Sequence, residues 1–479
     1  MSHRDREGHT AAGAHAQDLS AALEWLLQGV DWRLIGLRQD CRWTARGLAA
    51  AALLWAWSDE TGLLRRFAAA RKIARRVWGR SVPAQASYQA FAKLLVRWTG
   101  PLLVVLTTAF RTRMRTSLAA HFRMAGYVVF GGDGSRLGLP RTASNEGRFS
   151  PAKSQRKKRR ARRRKGNRPR RGRSRAARER QARHKKADSP QLWITTLWHA
   201  GTGLPWDWRI GPSDSSERHH LREMVAALPE QALVAADAGF VGYEFWSTLQ
   251  DHRREFVIRV GSNVRLLKKL GCCRESGNTV YVWPDEAARK HQPPLVLRLV
   301  VVQGGRHPWY LLTSVRHAAR LSDRQVAEIY RLRWGVELYY RHFKQTFERR
   351  KLRSHTADHV EVEAHWSMLG LWALLLHAQH YLHRRHVPPE RISVASVLRA
   401  YRTPMREFKS SPDPGESLWD LLKVALVDPY QRTNKASRGH PRKKYEQPPG
   451  APKLQTATPQ QVLAAKQLQK PTTEKGLTA

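Results

Sequence analysis

The chain has 479 residues, 85 of them Lys or Arg and 39 Asp or Glu, which gives a formal net charge of +46. That surplus is the footprint of a polyanion binder, and 41% hydrophobic content with 18 Trp supplies a packed core, which excludes a wholly disordered chain. Cys41, Cys272 and Cys273 show no C-x-x-C spacing, so neither a disulfide framework nor a zinc site is expected, and the compartment reads as reducing.

The length suggests roughly three domains at about 150 residues each. The first ten residues are polar and charged, so no secretory signal is expected, and residues 1–18 read as a disordered N-terminus. The longest apolar run, around Trp366 to Ala378, falls short of the ~20 residues that span a bilayer, so no membrane partner is expected. Residues 19–122 carry helical apolar periodicity at 21–30, 46–57, 63–78 and 87–98, with breaks at Pro83 and at Gly100-Pro101. The 87–98 segment bears Lys93 and Arg97 and is a candidate recognition helix of a DNA-binding domain. The alternative is a bundle whose charges are merely solvated.

Residues 123–350 read as a catalytic unit. A strand at 126–130 runs into Gly131-Gly132-Asp133-Gly134-Ser135. A basic insertion follows at 148–188. Within it, Lys153 to Lys186 holds 20 Lys and Arg against the single acid Glu179, too polar to build a core, and either clamps phosphates or is a tolerated surface insertion. Strands are expected at 191–199, 206–210, 232–237 and 254–260, with a helix at 218–228 and a second acid, Asp237, closing its strand. A β-rich insertion at 261–316 holds three more strand-like runs. Residues 351–428 read as C-terminal helices, and 429–479, rich in Gln, Pro, Thr and Lys, as a disordered tail.

Chemistry concentrates on one helix. Ser322 with Gln325 has the form of a capping box, and Leu321 and Val326 that of a hydrophobic staple, so a helix should start near Ser322. From there Tyr330, Glu337 and Lys344 recur every seven residues, with Arg333 between the first two, so the four share a face. Ile329, Leu332, Val336 and Phe343 repeat one residue earlier, rotated by about 100°, which puts the polar stripe along the edge of the buried face. Alone, Arg333 and Glu337 make an ordinary i, i+4 ion pair, and Asp133-Gly134 makes an ordinary turn. Together, Asp133, Asp237 and Glu337 form an all-oxygen set suited to two Mg²⁺ or Mn²⁺ ions. Ions about 3.5–4 Å apart clamp the attacking and leaving oxygens of an in-line displacement at phosphorus.

The ungapped run Tyr330-x2-Arg333-x3-Glu337-x6-Lys344 resembles the YREK signature of the DDE transposases of the fourth insertion-sequence family, and the likeness extends over roughly residues 125–380. The resemblance implies an α/β fold, with an RNase H-like catalytic domain that carries a β-rich insertion before the glutamate helix and follows a helical DNA-binding domain. It implies that Asp133, Asp237 and Glu337 are catalytic metal ligands and that Tyr330, Arg333, Lys344 and Arg259 contact DNA phosphates. Trp309, in Trp309-Tyr310-Leu311-Leu312-Thr313-Ser314, matches the context in which family members that use a DNA hairpin carry a Trp; otherwise it is a core residue. The implied function is cleavage and strand transfer of an insertion sequence bounded by terminal inverted repeats, by a synapsed homodimer acting on double-stranded DNA in a bacterial-type, nucleoid-associated cytoplasm. The alternatives are a domesticated or decayed DNA-binding protein and a structure-selective nuclease.

Overall fold

A computed structural model of the chain describes residues 11–151, 189–303, 307–407, 416–428 and 450–469. The elements, in chain order, open with α1 (Ala11–Leu27), α2 (Ala45–Trp57), α3 (Leu63–Trp78) and α4 (Tyr88–Ser117). Next come β1 (Val128–Gly138), α5 (Ala143–Phe149), β2 (Gln191–His199), β3 (Leu204–Gly211), α6 (Glu217–Met224), β4 (Ala232–Ala236), α7 (Tyr243–Asp251) and β5 (Glu255–Val260). Then follow β6 (Arg265–Lys268), β7 (Thr279–Val282), α8 (Asp285–Arg289), β8 (Leu295–Val302), β9 (Trp309–Thr313), α9 (Asp323–Leu332) and α10 (Gly335–Arg341). The chain continues with α11 (Ala357–His383), α12 (Val394–Glu407), α13 (Leu418–Lys423), β10 (Lys453–Thr456) and α14 (Pro459–Gln469).

The protein is mixed α/β, built on one ten-stranded sheet in the order β10-β6-β7-β8-β9-β5-β4-β1-β2-β3. β1 to β3 are antiparallel neighbours, β4 joins β1 in parallel, and β5 joins β4 in parallel. The strands of the 261–316 insertion do not form a separate sheet. β9 pairs antiparallel with β5, and β8, β7 and β6 extend the same sheet outward.

The N-terminal helices share their core with the C-terminal ones. The Trp57 indole donates to the Gly370 carbonyl over 2.9 Å, the Trp366 indole to Thr99 over 2.9 Å, and the buried Arg349 guanidinium to the Ala56 carbonyl over 2.7 Å. By length and composition α4 is long and apolar enough to cross a membrane. Its Phe91, Leu95, Leu102, Leu106 and Phe110 nevertheless pack into this shared core.

Several expectations are corrected. Helix α1 starts at Ala11, inside the segment read as a disordered N-terminus. Gly100-Pro101 does not end a helix: α4 runs through it, because Pro101 and the Arg97 whose carbonyl it leaves unpaired both face water while the opposite side stays buried. Strand β1 continues to Gly138, so Asp133 lies within the strand and not at its end. Residues 450–469, read as disordered tail, form β10 and α14; β10 pairs in parallel with β6, and Ala465 is buried with Leu267, Leu270, Tyr281 and Trp283. The basic run from Lys153 to Lys186 lies outside the described residues.

Candidate active site

The site forms where β4 stops and β1 goes on. Their parallel ladder ends with Gly131 opposite Ala235. Two residues further along each chain are Asp133 and Asp237, so the parallel register sets the two acids side by side at the open end of the pair. Asp237 has left the strand and caps the short 3-10 turn Ala238–Phe240, its carboxylate accepting from the Gly239 amide over 2.8 Å. Asp133 is half-buried, and β2 holds it on the other side opposite Thr196.

The third acid comes from the helical stripe. The capping box is present: Ser322 accepts from the Gln325 amide, and the Gln325 side chain accepts from the Ser322 amide. The helix is not continuous, however. α9 ends at Leu332, a tightened turn through Arg333 and Trp334 follows, and α10 then gives way to a π-helical turn at His342–Thr346. Gly335 explains the tight junction, since a Cβ there would lie 2.0 Å from Trp198 Cη2. The junction therefore presses directly onto the sheet. Glu337 stays half-exposed and lies 3.5 Å from Arg333, whose guanidinium is largely buried.

The carboxylates converge electrostatically. Burial, together with the nearby Glu217, Glu337 and Asp237 carboxylates, pushes the Asp133 carboxyl up to about 7, against a lowering from the Gly134 amide. Lys344 sits beside them, donating to Ser135 Oγ over 2.5 Å; burial depresses its ammonium although Asp133 opposes this. Tyr340 locks the glutamate helix to the strand, its hydroxyl lying 2.9 Å from the Asp133 carbonyl and 2.9 Å from Thr196 Oγ1.

A basic and aromatic wall adjoins the acids. Tyr330 is buried, its phenol raised by burial and opposed by Arg333 and Arg259, while Asp237 adds to the rise. Trp309 packs edge-on against Tyr330 at 5.8 Å between ring centroids, with Arg259 at 6.0 Å and Arg331 at 5.9 Å from the indole centre. The structure thus sets Tyr330, Arg333, Arg259 and Trp309 in one wall, with Lys344 beside Asp133. Sequence reasoning missed Arg331, hidden because it lies off the seven-residue repeat. It also missed Glu217, because an acid in a first helical turn is usually just a favourable partner for the helix dipole.

Asp133, Asp237 and Glu337 offer only oxygen ligands, the donor set that Mg²⁺ and Mn²⁺ take. Among the described residues no three acidic, His or Cys side chains are already drawn together around one point. The Asp237 carboxylate accepts from the Gly239 amide and the Glu337 carboxylate from the Arg333 guanidinium.

Asp133 within β1, Asp237 just past β4, Glu337 on α10 and the flanking Arg and Lys make up the candidate site. The Transposase DDE domain family matches residues 157–374, taking in Asp237 and the whole stripe but beginning after Asp133. That match covers somewhat less than half of the chain, and over it the chain is similar to DDE transposases. The transposase InsG for insertion sequence element IS4 of Escherichia coli (strain K12) is 29% identical over 177 residues, which are 35% of this chain and 38% of that relative. The match therefore spans well under half of the relative's length. A cryo-EM structure of piggyBac transposase in a synaptic complex with hairpin DNA is 12% identical, with a TM-score of 0.39 over 88% of each chain.

Proposed function

We propose that the protein is a DNA transposase that binds the terminal inverted repeats of an insertion sequence, cuts at their ends and joins the freed 3′ hydroxyl to target DNA. The observation that carries this reading is the β1–β4 register, which leaves Asp133 and Asp237 each two residues past the last paired positions, with Glu337 on α10 close enough to act on the Asp133 charge. In this reading the three carboxylates hold two Mg²⁺ or Mn²⁺ ions. Ions so held supply charge stabilisation for the attacking and leaving oxygens of a displacement at phosphorus.

The chain's own residues do the rest. Arg333, Lys344 and Arg259 hold phosphates flanking the scissile bond, and Tyr330 props the Trp309 ring toward the DNA end. Water and a DNA hydroxyl are interchangeable nucleophiles at one centre, so one site serves cleavage and joining. The order β3-β2-β1-β4-β5 and its directions favour an RNase H-like core. The +46 charge favours double-stranded DNA as partner. A homodimer that synapses two ends, a hairpin route through Trp309 and a nucleoid-associated cytoplasmic location complete the proposal.

The test is Asp237→Asn on DNA bearing the element's ends. End cleavage in Mg²⁺ should vanish while end binding stays within about twofold of wild type. Cleavage at the wild-type rate removes the reading. Wild-type cleavage without any strand joining makes the protein a nuclease, and end binding without cleavage makes it a DNA-binding protein only.

A further inference from the structure

The helical run that carries Glu337 and Lys344 is closed by backbone bonds from beyond its end. The Phe347, Arg349 and Arg350 amides donate to the His342, Phe343 and Lys344 carbonyls over 2.8, 3.1 and 3.2 Å, and Glu348 turns the chain there with a φ of 60°. A residue other than glycine holds that left-handed conformation only where its surroundings impose it. The chain then meets the end of β1: the Gly138 amide donates to the Arg350 carbonyl over 3.0 Å, and the Leu352 amide to the Gly138 carbonyl over 2.9 Å. Arg349 therefore stands between the last turn of the glutamate helix and the strand of Asp133.

Its side chain turns inward to a third element. Only 1% exposed, it donates to the Ala56 carbonyl over 2.7 Å, the Phe347 carbonyl over 2.9 Å and Ser367 Oγ over 3.0 Å. Ala56 lies in the last turn of α2, where carbonyls have no partner within the helix. Arg402 of α12 takes the next one, donating to the Trp57 carbonyl over 3.0 Å. Two guanidiniums thus close the negative end of the α2 dipole. The charge is nevertheless costly in so enclosed a place. Among the described residues no carboxylate pairs with Arg349: Glu363 lies against Arg66 and Glu348 against Arg402, each at 3.9 Å. An apolar side chain of similar volume would fill the space without an ion to desolvate. It could not hold a carbonyl of α2 in fixed register with the turn at Phe347, which the guanidinium fork does.

We propose that Arg349 is a positioning residue: it seats the helix of Glu337 and Lys344 on the C-terminal end of α2, so that the N-terminal helices set the geometry of the active site. This rests on the reading of Glu337 and Lys344 as active-site groups. A displacement of α2 reaches the guanidinium through Ala56, and the Arg349 and Arg350 amides pass it to the Phe343 and Lys344 carbonyls, while the Gly138 bonds keep the strand of Asp133 as the fixed side.

The experiment is Arg349→Met in the full-length protein, which keeps the volume and removes the tie. Melting temperature should stay near that of wild type, and the end concentration for half-maximal cleavage within about twofold, while turnover at saturating ends falls about 10- to 100-fold, as a small misplacement of reacting groups does. Hydrogen exchange without DNA gives a readout independent of cleavage: amides from Glu337 to Thr346 should exchange at least tenfold faster, with those of β4 unchanged. Arg349→Lys, which can keep one bond to Ala56, should fall between wild type and Arg349→Met in both measurements. Wild-type turnover and wild-type exchange in Arg349→Met overturn the proposal. So does a parallel fall of turnover, end affinity and melting temperature in both variants, which makes Arg349 a folding residue only. If wild type itself cuts no ends, the transposase reading falls, and exchange of the 337–346 amides alone decides for or against Arg349.

Discussion

The Tyr340 hydroxyl lies 2.9 Å from the carbonyl oxygen of Asp133, with the Ile194 carbonyl 3.1 Å away. One phenol thus ties the helix that carries Glu337 to the strand that carries Asp133, three residues beyond the glutamate. Tyr340 is itself fully enclosed, which raises its phenol well above the ordinary range and keeps it a neutral donor.

Tyr340→Phe should therefore destabilise the fold by about 1–2 kcal/mol, since it removes the one hydroxyl hydrogen shared among these buried acceptors. The larger effect should fall on cleavage, which depends on the spacing of Glu337 from Asp133, and not on end binding. Denaturant melts and parallel cleavage and binding assays check this; equal losses in both assays would make the tie merely structural.

The shift at Asp133 sets a pH dependence. Its carboxyl is raised to about 7 by burial and then by the Glu217, Glu337 and Asp237 charges. The folded state therefore holds this proton more tightly than the unfolded chain does. Between the ordinary carboxylate range and about pH 7 the folded form binds more protons, and this group's contribution to stability is lost as pH rises through that window. In chelator-treated protein, Asp133→Asn should flatten the decline of melting temperature between pH 4.5 and 8 and melt higher than wild type at pH 8. Identical slopes for the two proteins would contradict the shift.

Gly335 supplies a steric test of how the stripe helix is seated. A Cβ there would meet Trp198 at 2.0 Å, so Gly335→Ala must push α10 off the sheet. Overpacking of this kind costs about 1–3 kcal/mol. Cleavage should drop at least a hundredfold with little change in end binding. Gly277→Ala, at a turn where a Cβ meets nothing within 4 Å, is the control and should be neutral.

These residues also mark where sequence and structure part. The capping box at Ser322 and the strand ahead of Asp237 are local patterns, and the structure reproduces both, whereas the seven-residue recurrence of Tyr330, Glu337 and Lys344 runs over three successive helical segments. The break at Arg333–Trp334 is tertiary: it follows from Trp198 pressing on Gly335, two residues 137 positions apart, which no local period records. Pro101 misled because a helix tolerates proline where the freed carbonyl faces water, and water exposure at one position is not written in the sequence. β10 escaped notice because a four-residue exposed strand has no apolar alternation, and pairing with β6 alone defines it.

The proposed hairpin route is tested at Trp309. Its ring is half-buried, edge-on to Tyr330 and flanked by Arg259 and Arg331, so one side packs while another stays open. A hairpin at the element's end would force a tight bend, which a base relieves by leaving the stack and resting on an indole. Stacking of a base on an aromatic ring is worth about 1–3 kcal/mol, enough to decide which geometry is populated. Trp309→Ala should permit the first nick at near the wild-type rate and slow hairpin formation tenfold or more. A 2-aminopurine near the element's end should lose its metal-independent fluorescence rise in the variant. If both strand events slow equally and the variant also melts several degrees lower, Trp309 serves the core between β9 and α9, and the hairpin route has no support at this residue.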